Sequence, residues 1–583
     1  MTGWWGRILR IDLSSGEHRL ETVDPDLCLR WIGGKGLAGH YLHPWISRPW
    51  NDPGMPLVFM TGPLTGTAAP ASGRTCVASR SPLTGTVGDC SVGGSLGWQI
   101  RKAGIDGIVL TGRRRDLCGI EITDGEVSIV DASALAGATV DELHSRLKSK
   151  GAVACTGPAA DSGVLFSSIM VDGSFAAGRG GLGLVCASRN VKYLTVRGTG
   201  SVPVHDGKRL RGAVRDIRRL VAATPALMGE HGLRNCGTAA CYDLTSSRRM
   251  MPTANFRSTF FPKAGLMNSH AFSDEYGTGR HGCKGCHVLC KRVGDDGTHL
   301  PEFETMSHFS ALIENDDLRA VAEANRICNR TGMDTISAGG TLACYSEITG
   351  EKLSSGRILE LLTSMARGSG EGAELGRGSL RFARSRGCPE LSMSVKGMEL
   401  PGYDPRGALG MALGYVTSTR GGCHLRAYPI SHEILRRPVA TDRFSFAGKA
   451  RIVKIAEDMN AVVDSLTACK FLFFGCSLEE YSEAYSAVTG IETSAQDLLA
   501  AGERIYFRDW MMNSLCGFTE KDDNLPPRFF REPGSSGDGI LVPPLSEEEF
   551  LASRSRYYRV RGLDTAGLPE KSKVVELGLE GLP

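Results

Sequence analysis

Cys283, Cys286 and Cys290 form a C-x2-C-x3-C run within His281-Gly282-Cys283-Lys284-Gly285-Cys286-His287-Val288-Leu289-Cys290-Lys291. Three thiols this close leave one over if they pair as disulfides, and they follow no apolar periodicity. They can all address one small object. A cuboidal iron–sulfur cluster needs such thiolates plus a fourth from elsewhere. Two rivals share the spacing. Cys283-Lys284-Gly285-Cys286-His287 fits the C-x-x-C-H pattern of covalent haem attachment. The N-terminus, Met1-Thr2-Gly3-Trp4-Trp5-Gly6-Arg7, lacks the basic region and apolar core of the signal peptide such attachment calls for. A zinc site on the three cysteines with His281 or His287 is chemically sound. Spacing favours the cluster and leaves zinc and unliganded thiols open.

A second constellation is duplicated. Asp334-Thr335-Ile336-Ser337-Ala338-Gly339 and Asp464-Ser465-Leu466-Thr467-Ala468-Cys469 both fit D-x-x-[S/T]-A-[small]. Either Asp alone reads as a helix cap. Facing inward, it can instead accept hydrogen bonds from the amino and ring N–H groups of a pterin or purine. The second copy ends at Cys469, a candidate fourth thiolate five residues from that Asp. Glycine loops at Ser72-Gly73-Arg74, Gly93-Gly94 and Gly178-Arg179-Gly180-Gly181-Leu182-Gly183 expose successive N–H groups, two of them beside an arginine, as phosphate binding requires. Pro63-Leu64-Thr65-Gly66-Thr67 recurs as Pro82-Leu83-Thr84-Gly85-Thr86. A shared turn type is the better reading of that repeat alone.

These residues need elements to hold them. At 583 residues two to four domains are expected. A net charge of +3 points to neither nucleic acid nor a membrane surface, and no apolar run reaches the roughly 18 residues of a bilayer span. Eighteen scattered cysteines suit a reducing, cytoplasmic setting. Glycine accounts for 74 of 583 residues, about 13 per cent against a usual 7, and clusters in distinct loops.

Up to about residue 207 the chain reads as strands, at Arg7–Leu13, Leu57–Met60, Gly107–Leu110, Ile120–Thr123 and Tyr193–Val196. Beyond it, helices are expected over Asp317–Arg330 (capped by Asp316 or Asp317 and stopped at Gly332), from Asp334, and over Ile452–Phe474. Residues 525–545, rich in Pro, Gly and Ser, read as a surface tail.

The chain resembles the aldehyde ferredoxin oxidoreductase family of tungsten or molybdenum bis-pterin enzymes. The likeness runs from Gly6-Arg7-Ile8-Leu9 and Gly33-Gly34-Lys35-Gly36 to Tyr557-Tyr558 and Arg561-Gly562. Between lie Thr61-Gly62-Pro63-Leu64-Thr65-Gly66, Gly178–Gly183, Pro301-Glu302-Phe303-Glu304-Thr305, Gly332-Met333-Asp334-Thr335-Ile336-Ser337, Arg420-Gly421-Gly422-Cys423-His424-Leu425-Arg426 and Lys521-Asp522-Asp523-Asn524-Leu525-Pro526.

The resemblance implies an α+β chain: an N-terminal β-rich cofactor-base domain (1–207) followed by two mainly α-helical domains (208–400 and 401–583). It implies a 4Fe–4S cluster on Cys283, Cys286, Cys290 and Cys469, and a tungsten (or molybdenum) bis-molybdopterin contacted by Asp334 and Asp464. Gly93, Gly94, Thr467 and Lys470 are expected beside the cofactor. Arg74 and Arg179 would meet the pterin phosphates, bridged by Mg2+ on the carbonyls of Ser91 and Gly180. Ser91 stands where the family often has Asn, and Thr467-Ala468 where it often has Gly-Leu.

The implied reaction oxidises an aldehyde to a carboxylic acid and passes electrons to ferredoxin or an iron–sulfur partner subunit. His424 matches the family's active-site histidine. Glu304 is a second proton carrier, with a capping carboxylate as its bland alternative. His308, Glu314 and His432 are lesser candidates, and His308 reads first as structural. A homodimer is compatible with the resemblance. Within the family the alternative is a benzoyl-CoA-reductase-type subunit; outside it, a non-catalytic iron–sulfur or zinc-binding scaffold.

Overall fold

The computed structural model describes residues 2–582. Twelve strands build the N-terminal region: β1 (Arg7–Asp12), β2 (His18–Thr22), β3 (Leu57–Met60), β4 (Thr75–Arg80), β5 (Val87–Val92), β6 (Gly107–Thr111), β7 (Cys118–Thr123), β8 (Glu126–Asp131), β9 (Ala152–Thr156), β10 (Ile169–Val171), β11 (Phe175–Ala177) and β12 (Val191–Arg197). They form two six-stranded sheets, ordered β2-β1-β6-β3-β4-β5 and β11-β10-β9-β12-β7-β8. Pairing is antiparallel except for β1–β6 and β7–β12.

Strand periodicity explains the layering. Successive side chains point to opposite faces, so Leu57 and Phe59 of β3 enter the core between the sheets. Val58 and Met60 enter the larger core shared with the helices. Buried on both faces, β3 is continuously apolar without alternation. The repeated turns place Gly66 at φ +84° and Gly85 at +79°, a left-handed conformation glycine adopts without penalty. That is the shared turn type.

Helices follow: α1 (Gly34–Leu42), then α2 (Gly207–Ala222), α3 (Phe303–Phe309), α4 (Leu318–Thr331), α5 (Thr335–Thr349), α6 (Leu409–Thr417), α7 (Lys449–Ser465), α8 (Leu478–Thr489), α9 (Ala495–Leu515) and α10 (Glu547–Arg561), with further helices, among them Ser355–Arg367, between them. As expected, Asp317 caps α4 and Gly332 ends it in the left-handed region. Asp334 caps α5 through the Ile336 N–H. No helix among the described residues is long and apolar enough to cross a membrane.

One expected helix is shorter than its apolar pattern suggests. Residues 452–474 are not continuous: α7 stops at Ser465, Thr467 takes a positive φ of 54°, and a separate 3-10 turn spans Lys470–Phe474. Tertiary contacts cause the break. The Thr467 hydroxyl accepts from the Gly62 N–H at 3.1 Å and meets the Thr65 hydroxyl at 2.5 Å. Leaving the helix there carries Cys469 out of the helical line.

Candidate functional site

The cysteine run is the loop of a short hairpin, Gly279–His281 paired with Lys291–Val293, closed by the pair His281 and Lys291. Inside it the Cys286 N–H donates to the Cys283 carbonyl at 3.1 Å. The loop docks on the end of β5: a Cβ on Gly93 would lie 2.4 Å from Cys283 Sγ, and the Gly94 carbonyl accepts from the Lys284 N–H. Gly93 and Gly94 therefore hold the thiol loop.

Cys469 joins it from the broken end of α7. Burial raises the Cys469 thiol to about 11, Arg74 opposing while Cys286 and Cys283 add to the rise. Burial likewise raises Cys290, reinforced by Cys469, Glu302 and Cys283. Burial works against the Arg74 charge, but the field of Cys469, Cys283, Asp464 and Cys290 more than offsets it.

An all-sulfur set of four around one partly buried arginine suits an iron–sulfur cluster, whose irons would supply the positive charge that deprotonates thiols. Of the two histidines a zinc site could add, one is engaged elsewhere. His281 packs on Phe175 and His299 at ring separations of 5.4 and 5.1 Å. The His287 carbonyl takes a hydrogen bond from Arg234, and its ring Nε2 is buried without a partner among the described residues. Among the described residues no three His, Cys, Asp or Glu side chains close on a single ion.

Glu304 and Lys470, surrounded by protein, keep 18 and 19 per cent of their side-chain surface accessible, which points to an internal space beside Cys469. The Asp464 Oδ2 accepts from Lys470 Nζ at 2.6 Å and Arg426 Nη1 at 3.1 Å, while its Oδ1, deeply buried, has no partner. A buried orphan acceptor calls for a donor from a ligand. Arg426 in turn pairs with Asp89, which also holds Lys35. Burial alone would raise the Asp89 carboxyl, but Arg426, Lys35 and Arg420 drive it far below its usual range.

Asp334 is both a cap and a link. Its Oδ2 accepts from Ser337 Oγ at 2.9 Å and Arg179 Nε at 3.2 Å, joining the first Asp motif to the Gly178–Gly183 loop. Arg179 commits its other nitrogens to the carbonyls of Gly422 and Glu399. Arg74 binds the Ser91 hydroxyl at 2.8 Å and carbonyl at 2.5 Å. The Gly180 carbonyl accepts from Ser81 Oγ at 2.7 Å. Both carbonyls expected to hold Mg2+ thus carry a protein donor, and Thr467 is committed to Gly62 and Thr65.

His424 and Glu304 come together: His424 Nε2 is 3.5 Å from Glu304 Oε1. Glu304 sits in the first turn of α3, and its Oε2 accepts from the Gly402 N–H at 2.7 Å. Burial pushes its carboxyl up to about 8, against the pull of that N–H and Arg179. Burial, then Arg179, Arg420 and Lys470, push His424 well below its usual value. At neutral pH the pair is a protonated carboxyl beside a neutral imidazole whose Nδ1 lacks a partner.

Of the lesser candidates only His308 lies beside the pair: its Nδ1 is 3.8 Å from Glu304 Oε2, while its ring nitrogens face the carbonyls of Glu304 and Leu400. Glu314 is exposed and caps a turn. His432 meets the Val439 carbonyl.

Several neighbours had no individual sequence signal. Tyr403 and Tyr428 flank His424 at ring separations of 5.6 and 6.1 Å, with their hydroxyls 3.1 Å apart. Cys423 Sγ receives Arg420 Nε at 3.1 Å, Arg420 Nη2 at 2.9 Å and the Leu425 N–H at 3.3 Å. Burial raises this thiol, but Arg420, Arg426 and Arg179 prevail and lower it.

Comparison with known proteins follows the same two-part layout. The model of the aldehyde ferredoxin oxidoreductase N-terminal domain matches residues 8–198, and that of its domains 2 and 3 matches residues 212–579. The tungsten-containing aldehyde ferredoxin oxidoreductase of Pyrococcus furiosus is 36% identical over 608 residues, covering 99% of both chains. The protein of that name from Thermococcus kodakarensis is 36% identical over 610 residues, again covering 99% of both. The WOR-like subunit of an aliphatic sulfonate oxidoreductase from Pyrococcus furiosus is 24% identical, covering 99% of this chain and 97% of its own. Among solved structures, the active site complex BamBC of benzoyl coenzyme A reductase with 1,5-dienoyl-CoA shares the fold. Its TM-score is 0.85 at 21% identity, covering 100% of this chain and 98% of that one.

Proposed function

Because the chain belongs to the aldehyde ferredoxin oxidoreductase family, we propose that it oxidises an aldehyde to a carboxylate and delivers the electrons singly to a ferredoxin-type acceptor. The Glu304–His424 pair, 3.5 Å apart on the internal space, carries this reading. Other residues would hold the cofactors. Cys283, Cys286, Cys290 and Cys469 would take the 4Fe–4S cluster. Asp464, through its orphan Oδ1, and Asp334 would contact the two pterins; Arg74, bordering the thiols, and Arg179 would face their phosphates, with Mg2+ at the Ser91 and Gly180 carbonyls. The bis-pterin tungsten (or molybdenum) would supply the two-electron oxidation, and the cluster the one-electron exit.

The chain's own residues supply proton control. Protonated Glu304 can donate to the carbonyl oxygen of a bound aldehyde, polarising it toward attack by water. Neutral His424, its Nδ1 open, can accept the proton that water loses. Gly402 fixes the carboxyl, and Tyr403 and Tyr428 wall the imidazole with aromatic surface that excludes bulk water and suits an apolar aldehyde.

The test uses anaerobically purified, metal-replete protein. About one tungsten or molybdenum with four irons, and viologen reduction by a panel of aldehydes, are expected. Zinc alone, or metal-replete protein inert toward every aldehyde, would reject the proposal.

A further inference from the structure

Helix α2 carries a basic face that no internal pairing explains. Lys208, Arg211, Arg215, Arg218 and Arg219 are all exposed, and at 3.6 residues per turn they fall within an arc of about 100°. Among the described residues none of the five makes an ion pair. Arg209, about 80° round the helix from the stripe, binds Glu483 and Glu492, and the helix's Asp216 also lies off this face. Some exposed arginines elsewhere are paired, as Arg319 with Glu275, Arg326 with Glu323 and Arg386 with Glu374; what sets α2 apart is five unpaired cations on one face. The apolar side of α2, Leu210, Ala213, Val214, Ile217 and Val221, is buried. It offers nothing to insert into a lipid surface.

The position of this face gives it meaning. The C-terminal end of α2 packs against the segment that follows Cys469. Cys476, seven residues past Cys469, reaches the Ile217 carbonyl at 3.8 Å. A Cβ on Gly475 would lie 2.3 Å from Thr224 Oγ1. On the other side, Arg234 donates to the carbonyl of His287, within the cysteine loop, at 2.6 Å. The loop tip, Lys284 and Gly285, is exposed; the thiols lie just beneath the surface here.

We propose that the unpaired basic face of α2, with Lys284 at the tip of the cysteine loop, is the docking surface for a small acidic electron-carrier protein. The proposal rests on the function given above and locates where the electrons leave. Clustered unpaired cations draw an anionic partner and orient it before contact, and here they orient it over the thiols. Each docking event transfers one electron: a carrier is reduced by one as the cluster is oxidised by one. Two oxidised carriers are consumed per aldehyde, with RCHO and H2O giving RCOO−, three protons and two reduced carriers.

The experiment compares wild-type holoenzyme with Arg215→Glu/Arg219→Glu and with the control Lys148→Glu, an exposed charge in the β-rich region. The cluster is reduced chemically, and its reoxidation by an acidic bacterial-type ferredoxin is followed by stopped flow across a salt series. The double variant is expected to lower the second-order rate at least about tenfold at low salt, with the gap closing as salt rises. Reoxidation by a neutral dye should be unchanged in all three proteins.

Equal ferredoxin rates in wild type and double variant would overturn the proposal. So would an equal loss in Lys148→Glu, or tight salt-dependent binding of duplex DNA to the stripe with carrier reoxidation unaffected. Chemical reduction bypasses the substrate, so failure to oxidise aldehydes leaves this test intact.

Discussion

Glu304 Oε1 lies 3.5 Å from His424 Nε2, and burial moves the two groups in opposite directions. The carboxyl is raised to about 8 and the imidazole is lowered well below its usual value. Between those limits both are neutral. If protonated Glu304 is the donor, kcat/KM falls as pH rises through about 8. Glu304→Gln should cost about 10²- to 10⁴-fold and remove that alkaline limb, with metal content unchanged. An alkaline limb that survives the substitution would assign it to another group.

The same carboxyl makes a stability prediction. The folded chain keeps a proton that the unfolded chain releases above the ordinary value of 4.5. Its contribution is fully present below that pH and is lost as pH rises to about 8. Glu304→Gln has no proton to release, so its melting temperature should decline less than wild type between pH 5 and 8. Parallel profiles would contradict the raised carboxyl.

His424→Ala should slow turnover by about 10²-fold or more while leaving metal and pterin content intact. The imidazole contacts the site through Glu304 and two tyrosine rings and holds no backbone group. Wild-type turnover in that variant would remove His424 from the mechanism.

Cys469→Ser should lose iron and the cluster's visible absorption while the fold melts cooperatively. Cys469 sits at the cap of a short turn, partly buried against the main core, and serine is close to it in volume. Iron content and spectrum equal to wild type would exclude it as a ligand.

Much of this was legible because it is local. Strand alternation exposed β1, cap chemistry exposed α4 and α5, and the three-cysteine run exposed the hairpin loop. Other features are set by contacts distant in sequence. Nothing near Thr467 breaks a helix: no Gly or Pro interrupts residues 452–474, and the stop comes from Gly62 and Thr65, some 400 residues earlier. Tyr403 reaches His424 only through tertiary packing. The Asp89–Arg426–Asp464 chain joins a strand, a loop and a helix end. Cys423 lay inside a recognised segment, but its low-lying thiol depends on where Arg420 folds back.

The clamp at the end of α7 yields the last prediction. A Cβ on Gly34, itself at φ +32°, would lie 2.3 Å from the Asp464 carbonyl. From the other side, the Thr467 hydroxyl accepts the Gly62 N–H. Gly34→Ala forces the backbones apart, and Thr467→Val keeps the volume but withdraws a buried acceptor, costing about 1–3 kcal/mol. Both loosen the segment carrying Asp464 and Cys469, so each should lower the melting temperature and reduce pterin and iron content together. Because they strain one joint, the double variant should cost less than the sum of the singles. Strictly additive melting shifts with full cofactor content would show that the joint merely supports the fold and does not position Asp464 and Cys469.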